Sequence, residues 1–272
     1  MSECPHANLV QDDDEILKNL DKIRNRILVM SGKGGVGKST ISANLALSLA
    51  LSGKKTGLLD IDIHGPSIPK ILGLEGQKLQ TADSKIIPIE IGSLKVFSVG
   101  FMLEKEEDAL IWRGPMKHSL INQFIKDVEW GELDYLVIDT PPGTGDEHLS
   151  IAQTLKKVQG AIIVTTPQDL SLTDVRKCIT FCRKMELPIL GILENMSGFV
   201  CPHCFQITNI FKKGGGQKMA DELGIPFMGS LPIDPHIVEA SDAGKSFIYF
   251  YSKTETAKLF QDMIQPILAL SD

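Results

Sequence analysis

Several kinds of protein are excluded by what this sequence has little of. Its 272 residues hold five cysteines, unevenly spaced, which is no disulfide framework. Cysteines this sparse fit a reducing compartment, where a close pair serves as metal ligands or as a redox group. Positive charge is short as well: 28 Lys and Arg stand against 34 Asp and Glu, a formal net charge of −6. A nucleic-acid binder held by phosphate contacts needs a basic face, so no nucleic-acid partner is expected. No apolar run approaches the ~18 residues that read as a membrane-spanning helix. The opening "MSECPHANLVQDDDE" is polar and acidic, without the basic and apolar regions of a secretory signal. The expectation is a soluble cytoplasmic protein with no membrane partner.

What is present is enough apolar residue, 43% of the chain, for a full core. Residues 1–22 read as an amino-terminal tail and the start of a short helix, "DDDEILKNLDKIRN", acids first and bases last as the helix dipole favours. Residues 23–272 read as a single domain. "RILVMS", "KTGLLDID", "DYLVID", "GAIIVTT" and "LPILGILEN" are short apolar runs of buried-strand type. "KIIPIEIGSLKVFSVGFM" reads as two strands joined at Gly92-Ser93. Helical patterns cover residues 38–51, 116–128, 146–157 and 171–185. Apolar strands alternating with helices mean an α/β fold, a doubly wound and mostly parallel sheet covered on both faces. Ligands of such sheets bind at the carboxyl ends of the strands.

"GKGGVGKS" matches G-x-x-x-x-G-K-[ST] and lies between a strand and a helix, the context this phosphate loop requires. Gly32, Gly34, Gly35, Val36 and Gly37 would turn backbone N–H groups toward phosphates. Lys38 would supply a cation to the β- and γ-phosphates, and Ser39 a hydroxyl to Mg²⁺. Lys33 is a second loop lysine; a tight glycine loop makes its own phosphates a poor target, and a nucleotide held by another subunit an easier one. Asp60 and Asp62 end a strand, where carboxylates order magnesium-bound water or orient the attacking water. Asp139 ends another, at the Walker B position, followed by the stiff turn Pro141-Pro142-Gly143, a candidate γ-phosphate sensor. Nucleotide hydrolysis, an Mg²⁺-dependent ATPase activity, is the strongest inference.

"CPHC" supplies Cys201 and Cys204, two thiolates where a [4Fe–4S] cluster or a structural zinc takes four. A twofold axis would supply the pair twice, so a homodimer completes the site, and the same dimer lets Lys33 act in trans. One chain could instead recruit Cys178 and Cys182. Val175, Cys178, Ile179 and Cys182 form an i, i+3, i+4, i+7 stripe, however, so both cysteines should face the core. Cys182 should also lie roughly 15 Å below the strand end, at 1.5 Å per helical residue. His203, between the cysteines, reads as solvated, and Cys4 receives no role. "KKGGGQK", residues 212–218, is either an anion site at a helix start or a plain turn.

Taken together, "SGKGGVGKST", "DIDIHGPSIP", "WRGPM", "VIDTPPGTGDEHL", "ENMSGFVCPHC" and "GSLPIDP" resemble the Mrp/ApbC family, MinD-related P-loop ATPases implicated in carrying iron–sulfur clusters. The resemblance covers about residues 25–265. It implies a fold of the MinD and nitrogenase iron protein type. It implies that Lys33, Lys38, Ser39 and Thr40 hold ATP-Mg, with Lys33 reaching across a dimer. Asp62 would position the hydrolytic water, and Asp139 would serve the magnesium with Ser39. Asn195 would read the adenine edge, and Pro232 to Pro235, with Asp234 among them, would wall the base. Cys201 and Cys204 would bind the cluster, received from a donor and passed to apo-proteins. Two departures stand out. Only Cys4 is present where some relatives carry a second cluster motif, and about 25 residues leave no room for an extra amino-terminal domain. The leading expectation is an ATP-dependent iron–sulfur carrier. A MinD-like switch and a zinc-bridged structural dimer are the alternatives, and zinc and cluster would use the same thiolates.

Overall fold

The computed structural model describes residues 15–63, 65–83, 85–102, 114–201, 203–204 and 206–271, with the backbone alone over 114–119 and at 271. The expected tail with Cys4, His64, and Trp112-Arg113 of "WRGPM" lie outside the described residues. Helix α1 covers residues 15–21. It is followed by β1 (Ile23–Ser31), α2 (Lys38–Leu51), β2 (Thr56–Asp60), α3 (Ile68–Ile71), β3 (Gln80–Ala82), β4 (Lys85–Ile87), β5 (Ile89–Ile91) and β6 (Leu94–Ser98). Then come α4 (Gly114–Asp127), β7 (Leu133–Asp139), α5 (Asp146–Leu155), β8 (Gly160–Thr165), α6 (Asp169–Lys184), β9 (Ile189–Glu194), β10 (Phe199–Val200) and β11 (Ile207–Thr208). The chain closes with α7 (Gly215–Leu223), β12 (Phe227–Ser230), α8 (Pro235–Asp242), α9 (Phe247–Phe250), α10 (Glu255–Met263) and α11 (Gln265–Leu268).

Eight strands form one sheet in the order β12-β9-β8-β1-β7-β2-β6-β5. Every neighbouring pair is parallel except β5 and β6, whose antiparallel hairpin turns at Gly92-Ser93. This is the expected mostly parallel, doubly wound α/β sheet. Successive residues of β1 feed opposite faces, as the strand period of two demands. Ile27 and Val29 join the apolar layer built with α2, α9 and α10, while Leu28 and Met30 join the layer of α1, α4 and α5. Helix α2 is buried nearly all round because it lies between the sheet and α9. Helix α1 packs Ile16 and Leu20 into the second layer, and the Arg26 guanidinium donates to the Leu20 carbonyl (2.7 Å).

The sheet winds away from β1 in both directions, and the carboxyl ends of β1, β2, β7, β8 and β9 converge at that reversal. Some short elements differ from the sequence pattern. Pro88 separates β4 from β5, because a residue without an N–H cannot continue a ladder. Helix α5 stops at Leu155 because Lys156 takes a left-handed backbone, φ 53°. Strands β3, β10, β11 and β12 have at most four residues, too few for an alternation to register.

Candidate nucleotide and thiol sites

The phosphate loop turns out of β1 at Ser31 and enters α2 at Lys38. Gly37 caps α2 in the left-handed region (φ 83°), and a Cβ there would collide with the Asn195 amide nitrogen. Only glycine satisfies both conditions. Lys38 extends from the first turn of α2 onto the strand ends. Its ammonium lies 2.8 Å from Asp139 Oδ1 and 3.6 Å from Asp62 Oδ2, in a nearly dry setting. Ser39 donates to Asp139 Oδ2 (2.6 Å) and Ser42 to Asp139 Oδ1 (2.6 Å). Both oxygens of a fully buried carboxylate are therefore taken, as a buried charge requires. The motif residues Lys38, Ser39, Asp62 and Asp139 meet at one point, although they come from three elements.

Asp60 pairs in register with Asp139 on the neighbouring strand. Burial first, and the Asp139 charge second, push its carboxyl up to about 8. The Ser98 hydroxyl lies 2.7 Å from Oδ2, and the Asp62 N–H donates to Oδ1 (3.1 Å). The turn after β7 is tied back to the loop: Thr140 Oγ1 donates to the Val29 carbonyl (2.9 Å) and the Gly143 N–H to the Ser31 carbonyl (2.8 Å). One helical turn further, His148 is buried, and desolvation lowers its imidazole to about 4.

Lys33 reaches Oε1 of Gln168 (3.3 Å), the residue that precedes α6. Thr40 follows Ser39 in the first turn of α2, half-buried. Asn195 directs its amide N–H to the Val36 carbonyl (2.9 Å), so its donor holds the phosphate loop. Pro232 and Asp234 lie in the segment after β12. There the Ile233 N–H donates to the Gly198 carbonyl (2.8 Å), and Asp234 caps α8 by accepting from the His236 N–H (2.9 Å).

The thiols occupy a small hairpin that the strand pattern does not reveal. β10 and β11 pair antiparallel, and the Cys201 N–H closes the hairpin onto the Gln206 carbonyl (3.1 Å). Cys201 is half-buried, and Cys204 and His203 are exposed. Backbone N–H groups of Cys204 and His203, and the Cys204 thiol, draw the Cys201 thiol below the usual range. Cys178 and Cys182 lie in the core, as their stripe implies. Burial pushes their thiols up to about 12 and about 11, and Cys182 rests against Met30 Sδ (3.8 Å). Among the described residues, no group of three or more His, Cys, Asp and Glu could hold a metal ion within one chain.

The ParA model described as "NUBPL iron-transfer P-loop NTPase" matches residues 22–268. The chain belongs to this iron-transfer P-loop NTPase family. A cytosolic Fe-S cluster assembly factor NUBP2 of Gallus gallus is 51% identical over 255 residues, covering 92% of this chain and 94% of that protein. An iron-sulfur cluster carrier protein of Methanocaldococcus jannaschii is 48% identical over 269 residues, covering 97% and 93%. A nucleotide-binding protein of Archaeoglobus fulgidus, solved in complex with ADP, superposes with a TM-score of 0.77 at 43% identity, covering 87% and 93%. The Pyrococcus furiosus cell division ATPase MinD shares the fold at 23% identity, with a TM-score of 0.64 and coverage of 90% and 99%.

In this member of the iron-transfer family one buried carboxylate, at the head of "ENMSGFVCPHC", received no role from the motifs. Glu194, the last residue of β9, is completely buried. It accepts from Ser197 Oγ (2.6 Å), the Gly214 N–H (3.0 Å), the Gly216 N–H (2.6 Å) and Ser230 Oγ (3.3 Å). Glu194 thus fills the amino terminus of α7, where "KKGGGQK" offers an anion site. The protein supplies the anion itself. The sequence signals were a charged residue ending an apolar strand and its place at the head of a quoted motif.

Proposed function

We propose that the chain is an ATP-dependent iron–sulfur carrier, working as a homodimer in the cytosol, that binds a bridging [4Fe–4S] cluster and hands it to apo-proteins. The observation that carries this reading is the hairpin tip. It presents two accessible thiols, one with its thiolate favoured by backbone N–H groups, and half the ligands a cluster takes. A second copy supplies the other half. The cluster is cargo, and accessible thiolates at a hairpin tip suit transfer better than storage. The names of the relatives from Gallus gallus and Methanocaldococcus jannaschii support the same role and, for the first, the same compartment.

ATP hydrolysis follows from the loop. Ser39 Oγ and Asp139 Oδ2, hard oxygen donors 2.6 Å apart, fit Mg²⁺, with Asp139 acting through ordered water. Bound magnesium would neutralise charge on the β- and γ-phosphates. Lys38 exchanges Asp139 for phosphate oxygens and stabilises charge as the bond from the bridging oxygen to the γ-phosphorus breaks. Asp62, 3.6 Å from that ammonium, orients the water whose oxygen bonds to phosphorus. Lys33 leaves Gln168 to meet the partner's nucleotide. Gly32 to Gly37 line the phosphates with backbone N–H groups. The base lies toward Asn195, Pro232 and Asp234, with the loop-bound Asn195 amide offering its oxygen to the adenine edge.

The test is iron, acid-labile sulfide and zinc per chain after anaerobic reconstitution, beside Cys201→Ala/Cys204→Ala. About two irons and two sulfides per chain, lost in the variant, are expected for one cluster per dimer. About half a zinc per chain without sulfide would replace the carrier with a structural bridge.

A further inference from the structure

Glu194 and the groups that donate to it have no part in the chemistry above. Segment 197–214 carries Cys201 and Cys204, and its two ends are stapled to one carboxylate. Ser197 at its entry and Gly214 at its exit both donate to Glu194 Oε1, while Gly216 donates to Oε2. A Cβ at Gly216 would stand 3.2 Å from Glu194 Cβ and Oε2, so the glycine run is what brings backbone N–H groups onto the carboxylate. Ser230 of β12 adds a fourth donor, and the Glu194 carbonyl accepts from the Leu231 N–H (2.8 Å). Burying a carboxylate carries a desolvation cost that an apolar residue would not. Packing alone does not account for it.

The adjacent residue ties this staple to the nucleotide site. Asn195 donates to the Val36 carbonyl inside the phosphate loop and lies against Gly37. Its own N–H is held by the Thr165 carbonyl (2.7 Å) at the end of β8. The Asn195 side chain thus joins the loop at Val36 and Gly37 to the residue next to it, the carboxylate that closes the base of the hairpin. We propose that Glu194 is a positioning residue that transmits the state of the phosphate loop to the Cys201–Cys204 hairpin. The inference rests on the carrier reading for its purpose, and on the hydrogen bonds for its mechanism.

The test is the rate of iodoacetamide alkylation at Cys201 and Cys204 on the metal-free chain, with ATP, with ADP and without nucleotide. Peptide mass assigns each thiol, and nucleotide affinity and melting temperature are measured in parallel. In the wild-type chain the rates with ATP and ADP should differ by at least ~5-fold, the lower range of allosteric coupling. Glu194→Gln should bring that ratio close to one while nucleotide affinity stays within about twofold, because no phosphate contact is lost. Ser197→Ala should lower the ratio more than Ser230→Ala, following their distances of 2.6 and 3.3 Å. If Glu194→Gln does not fold, the two serine variants decide. A wild-type ratio of one overturns the proposal. So does a Glu194→Gln chain that keeps the wild-type ratio, or serine variants that lower the melting temperature and leave the ratio unchanged. Iron and sulfide are not read in this assay, so a failure of the carrier reading shows only in reconstitution.

Discussion

Lys38 sets one positive charge against Asp139 at 2.8 Å and Asp62 at 3.6 Å. Lys38→Met removes that charge and leaves Asp139 buried without its cation. The expected cost is about 3–5 kcal/mol in urea unfolding of the nucleotide-free chain, with loss of ATP binding. His148 gives a pH signature. Desolvation holds its imidazole near 4, against the free value of 6.5; Glu147 opposes the shift and Lys38 adds to it. Between those values the unfolded chain binds a proton that the folded chain refuses. The His148 contribution is therefore whole above pH 6.5 and is lost as the pH falls toward 4, at most about 3 kcal/mol. His148→Gln should flatten the fall in unfolding free energy between pH 7 and 4.5 by about 2–3 kcal/mol. An unchanged slope would mean that the histidine titrates normally in the fold.

The elements differ in how openly the sequence declares them. The central strands are legible because burial on both sides leaves unbroken apolar runs, and the phosphate loop that opens α2 because its spacing is fixed by phosphate geometry. Helix α6 is legible through one stripe: Val175, Cys178, Ile179 and Cys182 are all buried. Replacing Cys178 and Cys182 together by Ala should cost about 1–2 kcal/mol in stability through lost packing, and should leave reconstituted iron and sulfide at the wild-type level. A fall in metal content would return those thiols to the metal site. The hairpin of β10 and β11 was not legible. Two-residue strands show no period, and what holds them is a carboxylate whose partners lie up to 36 residues away. Glu194 is silent in the sequence for the same reason, since its hydrogen bonds go to backbone N–H groups and serines that look like ordinary turn residues.

At the scale of the whole molecule, the proposed carrier reading makes each functional centre a half. Cys201 and Cys204 offer two thiols, and the Lys33 ammonium is turned to Gln168 Oε1, outside the phosphate loop, at 3.3 Å. The proposed dimer completes both, and its consequence for hydrolysis can be worked out. A Lys33→Ala chain keeps its own Lys38 and Asp139 and lacks only the lysine it gives to its partner. A Lys38→Ala chain cannot hold nucleotide yet still offers Lys33. Neither homodimer should turn over ATP. In a heterodimer the Lys33→Ala chain binds ATP and receives Lys33 from the other copy, so one of two sites is complete. Random assortment makes half the dimers heterodimers, so an equimolar mixture should recover about a quarter of the wild-type rate under conditions where dimers exchange. Lys33 acting only within its own chain predicts no recovery, because the chain that binds ATP would then have no lysine in place. The same mixture with Cys201→Ala/Cys204→Ala added to both chains separates the two roles of the interface. Recovery there means that nucleotide alone assembles the dimer, and its loss means that the shared metal site is what brings Lys33 to the second phosphate loop.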